Sequence, residues 1–239
     1  MNGKIIRTLF KKDLKSCLTN KTILLSVLIP VFFCLLYRFL FSGLGEGLED
    51  FVLNACAVFA ISIVPTSILP VMIAEEKEKY TLRSLMLARV SGGEFLFSKI
   101  AVCLLLTLAD AAAVYFLSAG RPEDFLMYTA IILLSSAGLC FLGAIAGLTA
   151  KDQASAGTIS APLTLLAMLP PLFAGFNDTI GKIAVIFPTT SYQTLFTSAS
   201  SDSSLTSGRN LAALAVCAVW IIGGAVLFNL FYRKKGVDC

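Results

Sequence analysis

The stretch AEEKEKYTLRSLMLARVSGGEFLFSKI, residues 74–100, is a charged segment with helical spacing that separates two long apolar runs. It begins with acids and lysines that extend the preceding apolar run into water. Further on, Leu82, Leu85 and Met86 recur at i, i+3 and i+4, the spacing of one helix face. A generic polar loop would have no use for such a face, so the spacing predicts a short surface helix over 80–90.

A sharp turn and a helix start follow this surface helix. Gly92 and Gly93 break the apolar spacing, and Ser91-x-x-Glu94 matches a capping box. In that motif the serine side chain accepts a hydrogen bond from the glutamate backbone, and the glutamate side chain reaches back to the serine backbone. We therefore predict that the next long helix begins at about Gly92.

The chain around this stretch is predominantly apolar. Its 239 residues are 57% hydrophobic and 14% charged, with a mean hydropathy of +0.84, whereas a soluble domain carries about 25% charged residues. A transmembrane helix needs about 20 mostly apolar residues. The sequence therefore predicts an all-α membrane protein that forms one transmembrane domain over residues 1–239. Its six predicted transmembrane helices are 22–41, 51–74, 97–118, 125–150, 156–176 and 211–232.

The positions of lysine and arginine predict the orientation of these spans. Most of the 19 basic residues fall on the side that carries both termini and the 74–100 stretch. Basic residues are retained on the cytoplasmic side of a membrane. We therefore expect a multi-pass protein of the bacterial plasma membrane with both termini in the cytoplasm. The basic residues expected on the outer side are Arg38, Arg121, Lys182 and Arg209.

Residues 1–21 have the pattern of an amphipathic interfacial helix. Lysines and an arginine occupy one arc of the helical wheel, and Asp13 is the exception on the apolar arc. A basic amphipathic helix suits the inner membrane surface, and the alternative is an ordinary positively charged flank of the first span. The apolar arc consists of Ile5, Ile6, Leu9, Phe10, Leu14 and Cys17.

Several enzyme classes are excluded by composition. The chain contains no histidine, which removes histidine general bases and the Ser/His and Cys/His nucleophile pairs. It also lacks a G-x-x-x-x-G-K-[ST] motif and so cannot hydrolyse ATP through a P-loop. We therefore expect no enzymatic activity, no catalytic residue and no metal or cofactor site in this chain. The net charge of +4 follows the topology and is no evidence for nucleic-acid binding.

The 74–100 stretch resembles the permease subunits of ATP-binding-cassette transporters of the type-2 exporter family. Those permeases read like E-x-E-x-G-T-L-E-x-L-L-x-T-P-V-S-x-x-E-x-x-x-x-K between spans two and three. In this chain Tyr80 replaces the usual glycine and Arg83 the usual glutamate, while Ala88 and Arg89 replace Thr-Pro. The matching positions are Glu76, Glu78, Thr81, Leu82, Leu85, Met86, Val90, Ser91, Glu94 and Lys99.

The resemblance implies an exporter permease in which residues 80–90 form a cytoplasmic coupling helix. Two permease chains, identical or different, would assemble with two separate ATPase subunits that bind ATP and Mg. The resemblance leaves the cargo open, and we expect an amphiphilic peptide such as a lantibiotic, a drug or a lipid-like molecule. The implied ATPase-coupling residues are Glu76, Glu78, Tyr80, Thr81, Leu82, Leu85, Met86, Ser91 and Glu94.

Asp110 is the acid near the middle of the third span. A charge there costs about 2.5–3.5 kcal/mol on insertion scales, so the side chain is expected to face protein or a water-filled cavity. It would be protonated or paired with a group such as Arg38, and it would serve either a structural hydrogen bond or a substrate or ion. In the last case the chain would be a secondary transporter driven by an ion gradient. A non-transporting membrane scaffold is a third possibility.

The outer connection 177–210 is apolar enough in parts to dip back into the bundle, although a loop at the interface fits equally. By resemblance, Pro188 and Tyr192 would belong to an outer gate or cargo path together with Asp110. The outer loops carry more acids than bases, which favours a cationic cargo but also follows from the orientation alone. In span four, Gly143-x-x-x-Gly147 permits close helix contact, within the bundle or between subunits.

Overall fold

The computed structural model describes residues 3–41, 48–88, 90–118, 120–175, 178–200 and 207–235. These residues are predominantly helical and include no strand, which confirms the all-α prediction. The helices in chain order are α1 (Gly3–Thr19), α2 (Lys21–Phe41), α3 (Leu48–Ile63), α4 (Leu69–Glu78), α5 (Thr81–Leu87), α6 (Gly92–Leu117), α7 (Phe125–Thr149), α8 (Gln153–Phe173), α9 (Asp178–Ala184), α10 (Pro188–Ser200) and α11 (Gly208–Lys235).

Six helical segments are long and apolar enough to cross a membrane, as the sequence predicts. All six begin before the predicted apolar runs, because the polar and capping residues of a first turn are helical too. The segments are Lys21–Phe41, Asp50–Glu78, Gly92–Leu117, Pro122–Thr149, Gln153–Phe173 and Gly208–Tyr232.

The second span is the centre of the bundle. Within its apolar window 94% of the residues are buried, against 17% in the first span and 22% in the fifth and sixth. Its α3 half packs against α2, α6 and α8, and its α4 half packs against α7 and α8. A displacement of the second span would therefore change its packing contacts with most of the other spans.

The second span is interrupted halfway by a π-helical turn, Val64–Ile68. Pro65 lies within the interruption and Pro70 follows it, and a proline lacks the N–H that an α-helical hydrogen bond requires. Gly143 and Gly147 of α7 lie against this region. A Cβ atom added at Gly143 would lie 2.1 Å from the Pro65 carbonyl oxygen. The close contact that the glycine pair permits is therefore made within this chain, with the second span.

Large apolar side chains cover the outer faces of the peripheral helices. On α2, Leu25 is 67% exposed and Phe39 is 79% exposed, and similar side chains line α8 and α11. Exposed apolar area of this extent is unfavourable in water and is favourable in hydrocarbon. The fold is that of a multi-pass membrane protein.

The connection between spans five and six contains two short helices of different burial. Most of α9 is exposed, whereas one face of α10 is buried against α7 and α11. Trp220 of α11 fixes the joint between them, because its indole Nε1 donates a hydrogen bond to the Ile186 carbonyl oxygen at 2.7 Å. The predicted segment 177–210 extends beyond the described residues at 177 and 201–206.

Candidate functional site

The second span ends in a tight turn that leads into α5. The backbone N–H of Lys79 donates to the Glu75 carbonyl, and that of Tyr80 donates to the Lys77 carbonyl. Tyr80 has φ +54°, in the left-handed region that favours glycine. In the permeases that the 74–100 stretch resembles, glycine occupies this position. The helix that follows, Thr81–Leu87, is shorter than the predicted 80–90.

The start of the third span confirms the predicted capping box. The Glu94 backbone N–H donates to Ser91 Oγ at 3.2 Å, and the Ser91 backbone N–H donates to Glu94 Oε2 at 3.0 Å. Both hydrogen bonds satisfy N–H groups that a helix N-terminus otherwise leaves free. The helix begins at Gly92, as the sequence predicts.

A buried ion cluster joins α1 to the cytoplasmic ends of spans two and three. Lys99 Nζ lies 3.1 Å from Asp13 Oδ1 and 3.3 Å from Glu76 Oε1. The Lys99 side chain is 2% exposed. Ser98 Oγ donates to Asp13 Oδ2 at 2.9 Å, and Lys12 Nζ donates to Glu76 Oε1 at 2.5 Å. Asp13, the acid on the apolar arc of α1, is therefore the partner of Lys99.

The remaining charged residues of α4 also bind within the chain. Glu75 accepts a hydrogen bond from Ser16 of α1 at 3.1 Å, and it pairs with Lys79 one turn away. Lys77 Nζ donates to the Leu148 carbonyl at the end of α7, at 2.9 Å. Glu78 accepts from the Gln153 backbone N–H at the start of α8, at 3.1 Å. The end of α4 is thus tied to α1, α7 and α8.

Hydrogen bonds also fix the first residue of α5. Thr81 Oγ1 donates to the Glu76 carboxylate and, at 3.1 Å, to the Glu76 carbonyl oxygen. Through Glu76, α5 is linked to Lys99 and to α1. A force on α5 can therefore reach the end of span two and the start of span three through a short chain of polar contacts.

The surface formed by Tyr80 and α5 is only partly apolar and exposed. Tyr80 is 80% exposed and Leu87 is 79% exposed, so both side chains project from the bundle. Leu85 is half-buried and packs against the bundle core. The side chains of Leu82 and Met86 lie outside the described residues. Of the predicted apolar face, Leu85 therefore faces inward.

Electrostatics outside the spans follow from this packing. Burial raises the pKa of the Cys17 thiol, one turn beyond Asp13, to about 12. The hydrogen bond to Glu75 raises the pKa of the exposed Lys79 ammonium. At the start of α8, hydrogen bonds from Ser155 lower the pKa of the Asp152 carboxyl. The ammonium and the carboxyl are thus held in their charged forms and the Cys17 thiol in its neutral form.

Asp110 lies buried in the other half of the bundle. The residue is 2% exposed, and neither carboxyl oxygen has a hydrogen-bond partner among the described residues. Arg38 is therefore not its partner, and the Arg38 guanidinium instead donates to the Leu117 carbonyl oxygen. Cys34, Cys56 and Tyr128 lie within electrostatic reach of Asp110.

Tyr128 connects Asp110 with a second predicted residue, Tyr192. The Tyr128 hydroxyl donates to the Ala111 carbonyl at 3.1 Å, and its ring centroid lies 6.2 Å from that of Tyr192. The Tyr192 ring stacks on Phe196, and its hydroxyl oxygen has no partner in the described part of the chain. Pro188 is the first residue of α10. Sequence reasoning missed Tyr128, which carries no motif.

The comparisons with known proteins address the family directly. Residues 45–232, most of the chain, match the family described as ABC-2 family transporter protein. The chain belongs to this family. The ABC-2 match makes the chain an ABC-type permease subunit, a transmembrane component without an ATPase site of its own, and it implies partnership with an ABC ATPase subunit. A comparison with curated proteins gives no match.

Proposed function

We propose that this ABC-2 permease exports an amphiphilic cargo, such as a peptide, a drug or a lipid-like molecule, across the bacterial plasma membrane. Two separate ATPase subunits supply the energy by hydrolysing Mg-bound ATP, and two permease chains form the path. The termini and α5 lie in the cytoplasm, where α5 docks on an ATPase. Glu76, Glu78, Thr81, Ser91 and Glu94 act as positioning residues behind the docking surface.

The observation that supports this proposal best is the position of α5. It lies between the end of the second span and the capped start of the third, with Tyr80 and Leu87 projecting outward. Thr81 links it to Glu76 and so to the buried Lys99. Such an arrangement lets a movement of the ATPase displace α5 and, with it, spans two and three. This would be a two-state transition that is controlled from a distant site.

The test is association with the ATPase after a charge has been placed on α5. Leu87→Glu puts a carboxylate on the exposed surface that we propose contacts the ATPase. Leu126→Glu is the control, because Leu126 is 81% exposed at the start of α7, at the opposite end of the bundle. Each variant is purified in gentle detergent, and a soluble subunit with a Walker A motif is quantified by mass spectrometry. We expect the Leu87→Glu variant to bind at least tenfold less ATPase than the unaltered protein, and the Leu126→Glu variant to bind the same amount. Equal recovery in both would refute docking through α5.

A second candidate function, coupling to an ion gradient, is favoured by Asp110 alone. Its carboxyl group is buried without a hydrogen-bond partner among the described residues, and acids inside membranes often mark ion or proton pathways. Asp110→Asn keeps the shape and removes the ionisable group. If transport by the reconstituted permease requires a proton or sodium gradient, and Asp110→Asn abolishes that requirement, this candidate replaces the ATP-driven one.

A further inference from the structure

A cavity of about 280 Å³ lies at the end of the bundle opposite α5, between the end of α8 and the helices α9, α10 and α11. Much of its lining is small or apolar, such as Val185 and Ala213. Pockets for drug-sized ligands measure about 300–1,000 Å³. The cavity therefore suits the headgroup of a ligand, with the remainder of the ligand lying outside it.

The polar groups of the cavity favour an anion. Among the described residues, Arg209 is the one charged residue in its lining, which also includes the hydroxyl groups of Thr190, Ser191 and Thr194. The described residues place no carboxylate in salt-bridge contact with Arg209. A guanidinium group offers a planar fork of N–H donors that matches a phosphate or a carboxylate.

Thr190 gives an independent indication of a ligand. The residue is 9% exposed, and its Oγ1 atom is buried without a hydrogen-bond partner in the described part of the chain. Leaving a buried hydroxyl group without a hydrogen-bond partner is unfavourable. Because Thr190 belongs to the cavity lining, rotation of its side chain would let the hydroxyl donate a hydrogen bond to a ligand oxygen.

We propose that this cavity binds the anionic headgroup, a phosphate or a carboxylate, of an amphiphilic cargo. Arg209 pairs with the headgroup, Thr190 donates to it, and the apolar part of the cargo lies against Val185 and the surrounding hydrocarbon. The proposal rests on the export function proposed above and adds the charge of the cargo. The proposal differs from the prediction of a cationic cargo, which the acidic outer loops favour, because the charged group in the cavity lining, Arg209, is positive.

The protein contains its own reporter for this site. Trp220 is the single tryptophan of the chain. Its indole donates to the carbonyl of Ile186, the residue after the lining residue Val185. A ligand that shifts the joint between α9 and α10 changes the indole hydrogen bond and hence the fluorescence.

The experiment titrates the full-length chain, in phosphatidylcholine nanodiscs, with dodecyl phosphate. Tryptophan fluorescence and calorimetry are recorded in parallel, and the comparison probes are dodecyl maltoside, dodecyltrimethylammonium and inorganic phosphate. We expect saturable binding of dodecyl phosphate at a concentration at least tenfold below that of the other three. Preference for the ammonium or maltoside probe, or no binding in either measurement, overturns the proposal. Equal binding of inorganic phosphate shows a site for free anions and overturns the amphiphilic cargo.

Variants assign the binding to the cavity. Arg209→Gln is expected to weaken dodecyl phosphate binding at least tenfold, and Thr190→Val, which nearly preserves volume, to weaken it severalfold. Arg121→Gln is the matched control, because Arg121 is an exposed arginine at the same end of the bundle and outside the cavity lining. Unchanged binding in Arg209→Gln, or equal loss in Arg121→Gln, refutes the assignment. If the unaltered protein associates with the ATPase but does not bind dodecyl phosphate, this inference alone is rejected. If it binds dodecyl phosphate but has no ATPase partner, the export function alone is rejected.

Discussion

Lys99 Nζ contacts Asp13 Oδ1 at 3.1 Å, although the two residues are 86 positions apart in the sequence. The contact joins α1, which precedes the first span, to the start of the third span. Both side chains are at least nine-tenths buried, and Glu76 shares the same ammonium group. The pairing makes α1 part of the structure that positions α5.

Removing the shared ammonium group should destabilise the fold. Lys99→Met keeps an apolar stem of similar length but leaves Asp13 and Glu76 facing each other, and breaking a buried ion pair costs about 3–5 kcal/mol. We expect a clear drop in the midpoint of thermal unfolding in detergent. Lys11→Met, an exposed position on α1, is the control and should leave the midpoint unchanged. A second substitution, Asp13→Asn, should recover part of the loss in the Lys99→Met background, and no recovery would contradict the pairing.

The reactivity of Cys17 should report whether α1 is docked. The thiol is 1% exposed, and burial raises its pKa to about 12. At pH 8 only about one such thiol in ten thousand would be a thiolate, the nucleophilic form. We expect almost no maleimide labelling of Cys17 in the unaltered protein and at least tenfold faster labelling in Lys99→Met, measured by peptide mass spectrometry. Cys103, fully buried in the third span, should stay protected in both. Rapid labelling of Cys17 in the unaltered protein would show that α1 is not docked.

The contact between α7 and the π-helical turn should not tolerate a side chain. A methyl group at Gly143 would lie 2.1 Å from the Pro65 carbonyl oxygen. Overpacking of this kind costs about 1–3 kcal/mol, so Gly143→Ala should lower the unfolding midpoint. Gly223→Ala on α11 meets no atom within 4 Å, and alanine has the higher helix propensity. That control should be neutral or stabilising, and equal midpoints for the two variants would argue against the close approach.

The turn before α5 should improve when Tyr80 becomes glycine. A left-handed conformation costs an L-residue about 1–2 kcal/mol, and glycine avoids this cost. Tyr80→Gly is therefore expected to raise stability slightly, whereas Tyr80→Val should lower it, because a β-branched residue is least tolerated at positive φ. Denaturant unfolding in detergent measures both. The reverse order of the two variants would show that the backbone at residue 80 is not left-handed.

The sequence predicted the features that depend on local patterns. Apolar runs long enough to span a bilayer predicted six transmembrane helices, and Ser91 with Glu94 predicted the start of the third. Both signals are short-range, so a single sequence contains them completely.

The features that depend on distant contacts were harder to predict. Asp13 was visible as an acid on an apolar arc, but the pattern within α1 could not identify Lys99 as its partner. Asp110 was recognised as a buried acid, yet the suggested partner Arg38 binds Leu117 instead. The inward position of Leu85 also escaped prediction, because helical spacing groups residues on one face without showing what that face contacts.

The π-helical turn at Val64–Ile68 has a consequence for every residue that follows it in the second span. One residue advances an α-helix by about 100°, so the extra residue of a π turn rotates all later side chains about the helix axis. Deleting one residue there would turn Glu76 away from Lys99 and make α5 emerge from a different side of the bundle. The turn thus sets the rotation of one half of the span relative to the other. An insertion or deletion in the turn would disrupt the contact between Glu76 and Lys99, although Glu76 lies two helical turns away.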